Sequence, residues 1–221
     1  SDRALAGRRI VVTAGPTREA VDPVRYVSNR SSGKMGVAIA EAAWRRGADV
    51  LLIAGPLSVP VPVGVRAVHV ETTEEMAHAV RASLADADAL IMAAAPADFR
   101  AAEVAEHKIK KGTGVNAITL APTTDILADT RDARRAGMIT VGFALETRDA
   151  LAAGRGKLTA KGLDMVVVND ATEEGAGFSV DTNRVSIVHA DGGEEHLALM
   201  PKSEVADAIL DRVAARMADG R

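Results

Sequence analysis

Residues 9–54 read RIVVTAGPTREAVDPVRYVSNRSSGKMGVAIAEAAWRRGADVLLIA, and the order of apolar and polar residues in this stretch decides the fold. Residues 9–14 form an apolar run of strand length, stopped by Gly15-Pro16. Residues 33–46 then carry Met35, Ile39, Ala42 and Ala43 at the i, i+4, i+7, i+8 spacing of one buried helical stripe. Arg45 and Arg46 suit the negative end of that helix. A second apolar run follows at 49–54. Strand, helix, strand in this order is a βα unit of a parallel sheet.

The alternation continues along the chain. Strands are expected at 67–71, 89–94, 138–143 and 165–169, and helices at 73–84, 125–135 and 149–160. Near the end, residues 184–188 and 196–199 flank Ala190-Asp191-Gly192-Gly193, the pattern of a β-hairpin, and 202–217 reads as a closing helix. Segment 96–117 matches neither period and carries Lys108, Lys110 and Lys111 before Gly112 and Gly114. It reads as a mobile lysine-rich flap, because long irregular loops inside compact domains are usually functional lids or disordered. The expectation is therefore an α/β, Rossmann-like fold: a mostly parallel sheet flanked by helices, with a C-terminal β-hairpin and the flap. Residues 9–221 form one domain, and 1–8 read as a linker or the cut end of a longer chain.

The 221 residues suffice for one sizeable core. A formal net charge of -3 lacks the one-sided basic field of nucleic-acid binders, and Trp44, Tyr26 and three Phe provide few stacking platforms for bases. No nucleic-acid partner is expected. The absence of cysteine excludes a disulfide framework and a thiolate nucleophile. No apolar run approaches the ~20 residues of a membrane helix, and residues 1–9 lack the apolar middle of a signal peptide. The chain is expected to be cytoplasmic, with no membrane partner.

In open parallel sheets ligands bind beyond the carboxyl ends of the strands, so the loops there are the candidate site. After the first strand come Gly15-Pro16-Thr17-Arg18-Glu19 and then residues 22–36, which include Arg25 and Asn29. Ser31, Ser32 and Gly33 at a helix start offer hydroxyls and free backbone N–H groups to a phosphate, although either serine can equally be a plain N-cap. A Walker loop is excluded by Ser28 and Met35, and a dinucleotide fingerprint by the lone Gly15. After the fourth strand, Ala93-Ala94-Ala95-Pro96-Ala97-Asp98 lets a ligand approach the backbone, with Asp98 able to orient a ribose, a base or a metal. Lys157 and Lys161 form an i, i+4 pair of like charges, a cost that invites an anion to face both. The five histidines never fall at metal-ligand spacing. Composition and pattern alone reach a nucleotide-binding α/β domain.

Taken together and in order, GPTRE (15–19), DPVRYVSNRSSGKMG (22–36), AAAPADF (93–99) and HKIKK (107–111) resemble the ligase that joins phosphopantothenate to cysteine in coenzyme A synthesis. In many bacteria that ligase is the C-terminal half of a bifunctional protein whose N-terminal half is a flavin-dependent decarboxylase. The resemblance implies a homodimer and a two-step reaction with CTP and Mg²⁺, through an acyl-cytidylate, with no flavin in this chain. It makes Lys108 the flap lysine that supports acyl-cytidylate formation and Asn29 the residue that turns this intermediate into amide. It places CTP against Met92, Ala93, Ala94, Asp98, Lys108, Thr124, Asp125, Ile126, Leu127, Phe143, Lys157 and Lys161. Gly15, Arg25, Ser31, Ser32 and Gly33 are left as substrate or phosphate contacts. Thr124 stands where relatives often have proline. The hairpin edge at 184–199 is expected to be covered by a second subunit.

Overall fold

The computed structural model describes residues 3–112, 114, 117–146, 149–170 and 180–219. The ends of the chain and three positions of the flap (113, 115 and 116) lie outside the described residues.

Strands β1 (Arg9–Ala14), β4 (Asp49–Ala54), β5 (Arg66–His69), β6 (Ala89–Met92), β9 (Ile139–Glu146) and β10 (Met165–Asp170) are parallel. Strands β12 (Val185–His189) and β13 (Glu194–His196) join antiparallel, giving one sheet of order β13-β12-β10-β9-β6-β1-β4-β5. Along β1 the side chains alternate between faces. Ile10, Val12 and Ala14 meet helices α1 (Lys34–Arg45) and α5 (Lys202–Asp219), while Val11 meets α2 (Thr73–Ser83) on the other side. Helix α4 (Ala150–Lys161) covers the far half of that second face through Leu151 and Leu158. The protein is thus three-layered, and both faces of the central parallel strands are covered, while the edge strand β5 stays largely exposed.

The α1 stripe is buried as its spacing requires: Ile39, Ala42 and Ala43 are wholly enclosed. Ile39 alone contributes roughly 1.5–3 kcal/mol by leaving water. At Gly36, a Cβ would lie 2.5 Å from the Cβ of Ala14 and 2.7 Å from the Thr13 carbonyl oxygen, so only glycine lets α1 press this closely on β1.

Several expectations need correction. The helix read over 125–135 is only α3 (Ile126–Asp129) followed by a 3₁₀ turn, Arg131–Ala133. Buried Thr130 gives both its N–H (3.0 Å) and its hydroxyl (2.6 Å) to the Ile126 carbonyl, and the chain then tightens into the 3₁₀ turn. In the hairpin, pairing resumes at Glu194 rather than His196, because Gly193 already closes the turn with its carbonyl accepting from His189 N–H at 2.9 Å. Buffering the hairpin against α5, Glu195 takes Arg212 at 2.6 Å and His189 at 2.8 Å, and the Arg212 guanidinium holds its carboxyl down at about 2.

Short ribbons that no period announced also appear. β2 (Arg18–Ala20) pairs with β3 (Tyr26–Ser28) after the first strand, and β7 (Phe99–Ala101) pairs with β8 (Leu120–Pro122) at the base of the flap. β11 (Thr182–Asn183) pairs with β14 (Met200–Pro201) just before α5.

Candidate active site

From β1 the connections run one way to β4 and β5, and from β6 the other way to β9 and β10, so the loops after β1 and β6 diverge and open a crevice. Its floor is tied across the sheet. Ala95 N–H donates to the Gly15 carbonyl at 2.9 Å, and Ala94 N–H to the Thr13 hydroxyl at 3.1 Å. Glu19, buried, accepts from both the N–H (2.8 Å) and the hydroxyl (2.7 Å) of Thr73, whose hydroxyl also meets Thr17 at 2.8 Å. Thr17 in turn accepts from Ala97 N–H at 2.9 Å. Threonine hydroxyls therefore hold the backbone of Ala94 and Ala97 from behind the crevice.

Two cavities occupy this crevice and adjoin. The larger, about 440 Å³, lies between the start of α1 and the loop after β6. Asn29, Ser31, Ser32, Gly33, Ala93, Ala94, Asp98, Phe143 and Lys157 all line it. The smaller, about 260 Å³, is bounded by Met92, Thr124, Asp125, Ile126, Leu127 and Lys161. Ala94, Pro96, Asp98, Phe143 and Lys157 belong to both.

Asn29 is oriented by its amide nitrogen, which donates to the carbonyls of Ala95 (3.2 Å) and Pro96 (2.9 Å). It therefore bridges the loops after β1 and β6. Neither serine is the N-cap of α1. That position is Gly33 at φ 79°, with no side-chain cap. The serines instead make local turns, Ser31 Oγ accepting from Gly33 N–H at 3.3 Å and Ser32 Oγ from Lys34 N–H at 3.4 Å.

The lysine pair on α4 is not left to face an anion alone. Lys157 Nζ donates to the Phe143 carbonyl at 2.5 Å, and Lys161 is bonded to Asp125. Asp125 also caps α3 by accepting from Ala128 N–H at 3.0 Å. Burial pushes the Asp125 carboxyl up, but the Lys161 hydrogen bond, the Ala128 N–H and the two lysine charges outweigh it and hold it below the usual range.

Not every expected residue enters the cavities. Gly15 sits behind the floor at φ 82°, where a Cβ would lie 2.9 Å from the Pro56 carbonyl oxygen. Arg25 turns to Asp22 and to the Ile109 carbonyl. Lys108 is exposed and lines neither cavity.

Conversely, Lys34, Asn169, Asn183 and Lys202 line the larger cavity and were not anticipated. Lys202, the first residue of α5, is buried and bonded to the Val180 carbonyl. Burial lowers its pKa, the Lys34 charge adds to this, and Asp181 opposes. Asp181 is itself bonded to Lys34 at 2.7 Å. Only the position of Lys34 directly after Gly33 offered a signal, since Lys202 arrives from the far end of the chain. With Lys34, Lys157 and Lys202 on its walls against Asp98, the larger cavity suits an anionic ligand.

Comparison with known proteins agrees with this architecture. The chain is 45% identical over 212 residues to the coenzyme A biosynthesis bifunctional protein CoaBC of Bacillus subtilis (strain 168), covering 96% of this chain and 52% of that protein. It is 47% identical over 225 residues to CoaBC of Mycobacterium tuberculosis (strain ATCC 25618 / H37Rv), covering 97% and 54%. The chain thus spans about half the length of the curated relatives it matches. The crystal structure of the C-terminal domain of a CoaBC superposes with a TM-score of 0.84 at 38% identity, covering 98% of this chain and 99% of that one. The model of the DNA/pantothenate metabolism flavoprotein C-terminal domain matches residues 5–217, and this chain belongs to that family.

Proposed function

We propose that this chain ligates 4'-phosphopantothenate with L-cysteine at the expense of CTP, as one step of coenzyme A synthesis. The observation that carries the reading is the pair of adjoining cavities with Ala94, Pro96, Asp98, Phe143 and Lys157 in common. A ligase of this kind must hold a nucleotide and an anionic acid end to end, and a bipartite crevice with cations along it suits both. In the first step a carboxylate oxygen of phosphopantothenate attacks the α-phosphorus of CTP and pyrophosphate leaves. In the second the neutral amine of cysteine attacks the acyl carbon, loses a proton, and CMP leaves with the former carboxylate oxygen.

Both steps build negative charge on phosphoryl or acyl oxygens, so positioned cations and donors, rather than a protein nucleophile, supply the catalysis. Lys108 is assigned to the first step, its side chain bringing a charge from the flap to the polyphosphate. Asn29 is assigned to the second. Its amide hydrogens are already engaged by the Ala95 and Pro96 carbonyls, so its Oδ1 is the atom available to accept from the incoming amine.

Mg²⁺ fits as a companion of the polyphosphate. Among the described residues no group of three or more His, Asp or Glu is placed to hold a metal, and Mg²⁺ usually borrows most ligands from phosphate and water. Asp98, shared by both cavities, is the carboxylate that would meet it, and the ion would neutralise the departing pyrophosphate. In the longer protein that relatives of this kind form, a flavin-dependent decarboxylase would consume the product. A cytoplasmic homodimer completes the proposal; among the described residues no helix is long and apolar enough to cross a membrane.

The test is pyrophosphate release with CTP, ATP, GTP and UTP, each with phosphopantothenate and with or without cysteine. Release should require phosphopantothenate and be fastest with CTP. Equal rates with ATP and CTP would overturn the nucleotide assignment, and release without phosphopantothenate the substrate assignment.

A further inference from the structure

Among the described residues Asp22 is the most heavily bonded carboxylate outside the crevice, and its side chain is wholly enclosed. Oδ1 accepts from the backbone N–H of Val24 (2.8 Å) and of Arg25 (2.9 Å). Oδ2 takes the Arg25 guanidinium in a two-pronged bond, Nε at 3.0 Å and Nη2 at 2.5 Å. Oδ2 also accepts from Ile109 N–H at 3.1 Å, across 87 positions of sequence. The Arg25 Nη2 that binds Asp22 donates to the Ile109 carbonyl as well, at 2.6 Å. Ile109 is therefore gripped by both its N–H and its C=O, and Ala105 N–H adds a tether to the Val21 carbonyl at 3.0 Å.

The residue before Ile109 is Lys108. At its base the flap is held by the three-residue pairing of β7 and β8 and by Ala102 N–H donating to the Thr119 carbonyl at 2.9 Å. A flap anchored at its base alone would let Lys108 sample a wide volume, whereas a gripped neighbour leaves it little more than its own side-chain rotations. The gripping residues come from the turn between β2 and β3, and β3 leads directly to Asn29. One acid thus fixes the flap relative to the very loop that carries the second assigned residue.

We infer that Asp22 is a positioning residue: with Arg25 it clamps the peptide of Ile109 and sets where Lys108 stands relative to the crevice. The clamp rests on geometry alone, and its effect on rate rests on the role proposed above for Lys108. Preorganising a reacting group in this way speeds turnover without tightening substrate binding.

Amide hydrogen exchange on the full chain tests the clamp without any variant. The Ile109 amide should exchange at least about tenfold more slowly than that of Lys108, the protection a charge-assisted bond provides. Equal exchange at the two amides overturns the clamp even if every Asp22 variant misfolds. In Asp22→Asn, trypsin should cut after Lys108 or Lys110 about tenfold faster, and kcat for pyrophosphate release should fall about tenfold with KM for CTP within about twofold. Faster cutting with unchanged or raised kcat overturns the positioning role and leaves the clamp. If the unaltered chain releases no pyrophosphate with CTP, the proposed function fails, while exchange at Ile109 still decides the clamp.

Discussion

At the scale of single residues, the two assigned side chains stand in different settings, and that difference separates their effects. Lys108 is exposed on the flap and brings a charge; Asn29 is bonded into the wall by the Ala95 and Pro96 carbonyls. Lys108→Gln removes the cation from the first transition state and should lower pyrophosphate release by about 10²–10³, by analogy with loss of one oxyanion donor. Asn29→Asp keeps the acceptor but replaces two donors with a carboxylate facing two carbonyls, so the loop after β6 is repelled and the second step suffers more than the first. A quench with and without cysteine, resolved by mass spectrometry, should find acyl-cytidylate accumulating in Asn29→Asp alone. Equal slowing of pyrophosphate release in both variants would refute the division of labour. Asn29, Ser31 and Asp98 were legible because unusual loops follow strands. Asn183 and Lys202 were not, because they reach the cavity from a distant part of the chain. The partners of Lys157 and Lys161 were hidden for a related reason: the Phe143 carbonyl and the Asp125 carboxylate are brought to them only by folding.

At the scale of elements, the β1–α1–β4 unit could be read almost to its ends because both of its periods are long and uninterrupted. The ribbons could not. Three residues carry no period, and β2, β3, β7 and β8 exist through partners rather than through their own pattern. Helix α3 was overread because Asp125 signals a start while no local residue marks the tightening into a 3₁₀ turn after Thr130. The site leans most on the seat of α1, which Gly36 makes possible. Gly36→Ala forces a methyl against Ala14 and the Thr13 carbonyl and should destabilise by roughly 1–3 kcal/mol, a fall in Tm on the order of 5 °C. Because α1 must slide outward, Ser31 to Gly33 move with it, and KM for phosphopantothenate should rise as Tm falls. Calorimetry and kinetics on the same preparation check this; an unchanged Tm would mean that the α1–β1 contact is looser than described.

At the scale of the whole molecule, the ribbons matter as a surface. Tyr26 on β3, Phe99 on β7 and Leu120 on β8 are each about half exposed, and the two ribbons pack together beside the crevice. Such a patch is what a second copy would cover, and it is a better candidate for that role than the hairpin edge, where β13 is only three residues long and bears Glu194 and Glu195. Light scattering at micromolar concentration should find a dimer, and Phe99→Asp should shift it to monomer. A fully active monomer would refute the dimer. The mostly parallel sheet and its flanking helices were foreseeable from alternation, whereas the strand order and this patch were not, since both are decided by tertiary packing. The wall that the two cavities share carries one more consequence. Lys157 and Phe143 touch both compartments, so a ligand in one that shifts either side chain alters the free energy of filling the other. Equilibrium reciprocity then requires the nucleotide to change the affinity for the acid by the same factor as the acid changes that for the nucleotide, whichever arrives first.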